Sequence, residues 1–113
     1  MTSKLKVLQV IPELGYGGAE TGCYDLAHYL SENDCTSHVV TSGGKLTKFI
    51  NKKKVKLIKL PVKSKNPILI LYNALALVFI ILFHNISIVH ARSRAPAWSC
   101  LLATKITRRK FVT

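Results

Sequence analysis

Beyond Asp34 the chain contains no carboxylate side chain. Its five acids are Glu13, Glu20, Asp25, Glu32 and Asp34, while the stretch after them carries fifteen of the 17 lysines and arginines. With a formal charge of +12 over 113 residues, that stretch prefers anionic surroundings; phosphate-bearing ligands, anionic lipid and nucleic acid all qualify on charge alone. Cysteine is scarce. Cys23, Cys35 and Cys100 are odd in number and lack metal-type spacing, and the first and last fall on apolar helical positions, so they read as reduced core thiols of a cytosolic chain. No clustering of Asp, Glu or His suggests a divalent-metal site. No cleavable leader is expected, because the apolar run from Val7 is short and leads into glycines. The nine lysines between Lys45 and Lys65 lack a series of stacking aromatics or a recognisable nucleic-acid module. They read either as a solvated face or as a patch drawn to anionic lipid, with no nucleic acid as partner.

What is present is alternation. LKVLQVI (5–11) has the make-up of a buried strand that Pro12 ends, and Ala19, Cys23, Leu26, Ala27 and Leu30 then recur on one helical face, with Glu20 in the first turn. SHVVT (37–41) is a second strand, followed by Gly43-Gly44 and a short lysine-rich helix, KLTKFINKKK. A third strand covers 55–62, a long apolar helix 67–84, a fourth strand 87–91 and a last helix 96–107, before KFVT opens a fifth strand. Strand and helix in turn predict an α/β fold, a Rossmann-like parallel sheet with helices on both faces. The whole of 1–113 is one such domain, incomplete, since the fifth strand has barely opened at Thr113; the expectation is the front part of a longer protein or a truncated reading frame.

ILILYNALALVFIILF (68–83) is about two residues short of the ~18 of a membrane span and has Asn73 in its middle. Basic residues flank it on both sides, and a span would put the fourth strand across the bilayer from the first three. A buried crossover helix is the favoured reading; a helix leaning on a membrane surface, or a small membrane protein built on 68–83, are the alternatives.

The chemistry concentrates in IPELGYGGAET (11–21). A glycine cluster this dense calls for positive φ or for a close backbone approach to something, and it lies where open α/β sheets bind ligands, at the start of a helix whose free N–H groups favour anions. A dinucleotide fingerprint is not met, since Glu20 stands at its third glycine and the second strand ends in Thr41-Ser42; no Gly-Lys-Ser/Thr follows for a P-loop. A non-catalytic nucleotide- or phosphate-binding α/β module remains open on this motif alone. Gly15, Gly17 and Gly18, with Glu13 and Glu20, are the candidate cleft residues. Glu20 also suits the helix start, and Glu13 is a loop acid that could bond a ligand hydroxyl, a solvated loop acid being the plainer reading. At the end of the fourth strand, His90, Arg92, Ser93 and Arg94 are the second candidate group, because paired guanidinium groups suit phosphate or carboxylate; a His90 packed under the loop and solvated arginines are the plainer reading.

VLQVIPELGYGGAET...DLAHYL, HVVTSGG, VKLIKLPV and IVHARSRAPAWSCLLA together resemble the N-terminal domain of the retaining glycosyltransferases of GT-B fold, the group 1 or family 4-like enzymes that include many lipopolysaccharide and capsule sugar transferases. The resemblance runs through nearly the whole chain in order. It implies the acceptor-binding half of an enzyme that moves a sugar from a nucleotide-sugar to a lipid-linked or cell-envelope glycan acceptor, with Gly17 and Gly18 keeping the turn bare where donor and acceptor meet. It further implies front-face retention assisted by the departing diphosphate, no required metal and no cofactor beyond the donor substrate. The place of work would be the cytoplasm, peripheral at the inner face of the membrane. The His-Gly past strand five, the donor-binding second domain and its paired glutamates are not in these residues, so this stretch alone is expected to be inactive.

Overall fold

The computed structural model describes residues 5–15 and 17–113, with the side chains of Arg94 and Ala95 outside the description. Strand and helix alternate as β1 (Lys6–Ile11), α1 (Gly18–Glu32), β2 (Thr36–Thr41), a 3₁₀ turn (Lys45–Phe49), β3 (Val55–Lys59), α2 (Pro67–His84), β4 (Ile88–Ala91), α3 (Arg94–Thr107) and β5 (Lys110–Val112). The five strands form one sheet in the order β3-β2-β1-β4-β5, with every neighbouring pair parallel.

β1 is apolar on both faces because both are covered. Leu8 and Val10 join Val40, Val89, Leu77, Ile81, Cys100 and Ala103 in a core under α2 and α3. Ile11 joins Leu14, Cys23, Ala27, Val39 and Val55 in a second core under α1. Side chains alternate across a strand, so a central parallel strand reads as a continuous apolar run. Burial pushes the Cys23 thiol up to about 11 and the Cys100 thiol to about 12, which keeps both protonated and unreactive as core residues.

Two expectations change. KLTKFINKKK does not form a regular helix: only a 3₁₀ turn forms over Lys45–Phe49, with Ile50 as the one buried side chain of the tract. Without a repeating apolar face, nothing holds so charged a stretch in a longer helix. The second change concerns α2, which is a crossover helix but not a buried one. Asn66 accepts a hydrogen bond from the Ile68 N–H at its start, Pro67 takes the first turn, and Asn85 closes it in the left-handed region. Only Asn73, Ala74, Leu77 and Ile81 of its 18 residues are buried. Asn73 is explained by its Nδ2, which donates to the Pro61 carbonyl at 3.0 Å and ties the helix to the chain that leaves β3. By length and composition α2 could cross a membrane. Its Asn73 face lies on the sheet instead.

The amino-terminal edge of the sheet carries a buried imidazole. His38, on β2, is 3% exposed and its ring centroid is 4.8 Å from that of His84 at the end of α2. Burial, then the charges of His84, Lys56 and Lys6, pushes its pKa down to about 4. An unfolded chain takes up that proton near pH 6.5 and the folded one only near 4, so the stability is fully present above the first value and falls between the two. Thermal unfolding followed from pH 7.5 to 4 is expected to show the loss, and His38→Gln to flatten it. The same slope in both proteins would assign the loss to other groups.

Candidate functional site

β1 is flanked by β2 on one side and β4 on the other, and the connections run over opposite faces: α1, from β1 to β2, covers one, and α2, from β3 to β4, the other. A crevice opens at such a switch point, outside the carboxyl ends of β1 and β4. IPELGYGGAET follows β1 into it, and Arg92 and Ser93 follow β4, pinned by the Arg92 N–H donating to the Val10 carbonyl at 2.9 Å.

Arg92 is held from below. Its Nε donates to Gln9 Oε1 at 2.7 Å, and Gln9 Nε2 donates to the Cys23 carbonyl at 3.3 Å. Gln9 has no exposed surface, so both ends of its amide are fixed by partners of opposite type and its orientation is settled by them. The guanidinium then passes over α1, where a Cβ on Gly22 would stand 3.8 Å from Nη1. Glycine at that position leaves room for the arginine.

Three cavities run along this edge and share residues. One of about 240 Å³ is lined by Ile11, Pro12, Glu13, Ala19, Glu20, Lys63, Arg92 and Ser93. Lys63 also borders a cavity of about 560 Å³ over the ends of β2 and β3, with Ser42 and Lys59. Arg92 and Ser93 border a third of about 430 Å³, with His90, Ala97 and Thr113. The result is a groove with Lys59, Lys63 and Arg92 along it. Glu13 reaches Lys63 at 3.8 Å, both well exposed, a pair of small energetic worth.

The structure therefore brings Glu13, Glu20, Arg92 and Ser93 to one cavity and His90 to the next. Gly17 and Gly18 lie exposed at the start of α1, while Gly15 is part-buried in the loop before it. The side chain of Arg94 lies outside the described residues; its backbone starts α3. Burial, then the Arg92 charge, lowers the pKa of His90, which favours the neutral ring, with one nitrogen donating and the other accepting.

The glycine cluster is not used as its density suggests. Gly17 has φ −66°, and among the described residues the positive-φ glycines are Gly43 and Gly44 after β2. A Cβ on Gly17 would meet the Glu20 carboxylate, which folds back over the helix start, whereas one on Gly15 or Gly18 would meet nothing within 4 Å. Of the two reasons for such a cluster, positive φ drops out. Space left bare for a close approach remains for Gly15 and Gly18, while Gly17 leaves room for the Glu20 carboxylate.

Sequence reasoning missed Gln9, His28 and the His38–His84 pair. Gln9 left a signal, a polar residue inside KVLQVI. His28 Nε2 accepts the Asn51 N–H at 3.1 Å, which makes Nδ1 the protonated nitrogen that donates to the Tyr24 carbonyl at 2.9 Å. It clamps the lysine-rich loop to α1, a structural role.

Comparison with known proteins agrees with this architecture. Residues 16–113 match the model of Glycosyltransferase Family 4. The crystal structure of a glycosyltransferase from Rickettsia africae ESF-5 is similar over 97% of this chain, at 44% identity and a TM-score of 0.86. The matched region is 29% of that protein, so the chain spans less than a third of its length. No curated protein matched. A family model covering most of the chain, and a solved transferase with the same fold at this identity, place the chain in glycosyltransferase family 4.

Proposed function

We propose that these residues are the acceptor-side part of a retaining glycosyltransferase that transfers a sugar, of hexose type, from a nucleotide-sugar to a lipid-linked or cell-envelope glycan such as lipopolysaccharide. The observation that carries the reading is Arg92, held by a fully buried glutamine at the switch point, between the glycine turn and a neutral His90. Such a guanidinium is set to grip a phosphate or carboxylate with little ordering left to do on binding. In this reading Arg92, Ser93, His90 and Arg94 orient the acceptor, and Glu13 bonds one of its hydroxyls. Gly15, Gly17 and Gly18 let the donor diphosphate come against the first turn of α1, whose N–H groups favour it. Glu20 is the helix-start carboxylate of the empty site and gives way from Gly17 when the diphosphate arrives. The departing diphosphate takes the proton of the incoming hydroxyl on the same face, so neither a metal nor a carboxylate nucleophile is used.

A cytoplasmic station at the inner membrane face fits two features. Ile68, Leu71, Tyr72, Leu75, Phe79, Leu82 and Phe83 form an outward stripe on α2, each more than half exposed. Lysines 45 to 65 supply the attraction to anionic lipid.

The test offers labelled UDP-, GDP- and ADP-sugars with acceptor-bearing envelope membranes. Transfer is expected from the intact transferase and none from residues 1–113, which should bind each donor no tighter than about millimolar, a few kcal/mol at most. Micromolar nucleotide affinity in residues 1–113 would overturn the assignment in favour of a self-sufficient nucleotide-binding module.

A further inference from the structure

At the edge of the sheet away from the groove, a cavity of about 470 Å³ is lined by Lys6, Thr36, Ser37, His38, Lys52, Lys53, Lys54, Val55, Lys56, Phe83 and His84. Five lysines and two imidazoles border it without a carboxylate. Among the described residues the nearby acid is Glu32, which engages Lys54 at 3.4 Å on the surface. The cations come from separate elements: Lys6 opens β1, His38 is on β2, Lys56 on β3, His84 ends α2, and Lys52, Lys53 and Lys54 lie in the loop before β3. His38 and Lys56 are register partners on adjacent parallel strands, so their side chains rise side by side from one face of the sheet.

Gathering like charges in this way costs free energy unless something offsets it. His38 is 3% exposed and its Nδ1 meets no hydrogen-bond partner; the Val7 backbone lies beside the ring and favours its charged form without closing a bond to that atom. A polar atom buried and unpaired among cations suggests an unfilled role. We propose that this edge is a second anion site, in which Lys6, Lys56 and the His38–His84 pair hold a phosphate-class group, with Lys52 and Lys53 closing over it. It is independent of the transfer groove and stands whether or not the reading of that groove is right.

The chemistry is that of a phosphate, whether of a soluble molecule or of a lipid headgroup. Burial first, and then the lysine charges, hold both imidazoles neutral; an anion here offsets the lysine charges, so binding and protonation of His38 and His84 favour one another. Phe83, 85% exposed at the cavity wall, continues the apolar stripe of α2 and would enter the acyl layer if the source is a membrane.

Ring-proton NMR titration of the four histidines in the full chain, at constant ionic strength, tests it. Pyrophosphate is one arm, vesicles of phosphatidylglycerol the second, and vesicles of phosphatidylcholine the control. A saturable rise of about one pH unit in the His38 and His84 titrations, with His28 unmoved, is the expected result; His90 lies beside Arg92 in the transfer groove and reports pyrophosphate bound there separately. A response to pyrophosphate assigns a soluble phosphate; a response to phosphatidylglycerol alone assigns a headgroup. Lys56→Glu and Lys52→Glu, both at exposed positions, should weaken the response at least about tenfold, the order expected when a charge-assisted bond is lost. No shift in either arm, equal shifts at all four histidines, or an undiminished response in both variants overturns the site.

Discussion

Arg92→Ala is expected to lower kcat/KM of the intact transferase by about a hundredfold, chiefly through KM for the acceptor, the scale of a lost charge-assisted, bidentate contact. Two losses combine. The guanidinium disappears from the middle of the groove, and Gln9 Oε1 is left buried with no donor in place of a 2.7 Å charge-assisted bond. The second loss alone should cost about 2 kcal/mol of stability. Lysine at 92 keeps the charge but not the planar fork, and should recover less than a tenth of the lost activity. Gln9→Leu separates the roles: Arg92 keeps its charge and loses its anchor, so KM for the acceptor should rise while kcat changes little. Denaturant unfolding alongside acceptor kinetics checks all three. An Arg92→Ala protein that is destabilised but transfers normally, when measured well below its melting temperature, would reduce Arg92 to a structural tie.

The layers of this fold were legible in the sequence because they rest on local pattern. Apolar runs bounded by Pro12 and by Gly43-Gly44, and a helical period through Cys23 and Ala27, give strand, helix and parallel sheet without reference to anything distant. The limits appear where distant residues decide. Arg92 and Gln9 are 83 positions apart, and only the pairing of β1 with β4 makes them neighbours. α2 illustrates the same point: its composition is uniform, so hydropathy could not say which side meets the sheet, yet Asn73 marked that side through a bond to Pro61. The lysine tract has residues that individually tolerate a helix, but no apolar stripe recurs to hold one, and only a 3₁₀ turn forms. Conformation was the hardest part. Glycine count drew attention to Gly15, Gly17 and Gly18, but left-handed backbone occurs at Gly43 and Gly44, whose pairing with the site loop is a tertiary fact.

That pairing leads to the other large effect, Gly44→Ala, which should destabilise the protein by about 4 kcal/mol. Gly44 has φ 140° and ψ 171°, a region open essentially to glycine alone, and an added Cβ would run into the backbone carbonyl of Leu14. Neither partner is a flexible side chain tip that could move aside. Strain of ~1–3 kcal/mol from the backbone adds to displacement of a loop held by the Leu14 N–H on the Gly43 carbonyl at 2.7 Å and the Leu46 N–H on the Leu14 carbonyl at 2.9 Å. Leu14 belongs to the turn between β1 and α1, so the cost falls on the site as well as on the fold. Gly18→Ala is the informative contrast. Gly18 is the first residue of α1, lacks positive φ, and an added methyl group would have nothing within 4 Å, so alanine there should hold stability or raise it by up to ~1 kcal/mol. If transfer nevertheless drops tenfold or more in Gly18→Ala while stability holds, a substrate is the partner that the methyl group meets, since it meets nothing among the described residues. A Gly18→Ala enzyme with normal kinetics would mean that the bare turn serves helix entry alone, and would move the phosphate contact to Arg92 and Lys63. Denaturant melts of both variants, followed by kinetics on the one that folds well, therefore separate a glycine needed by the backbone from a glycine needed by the ligand.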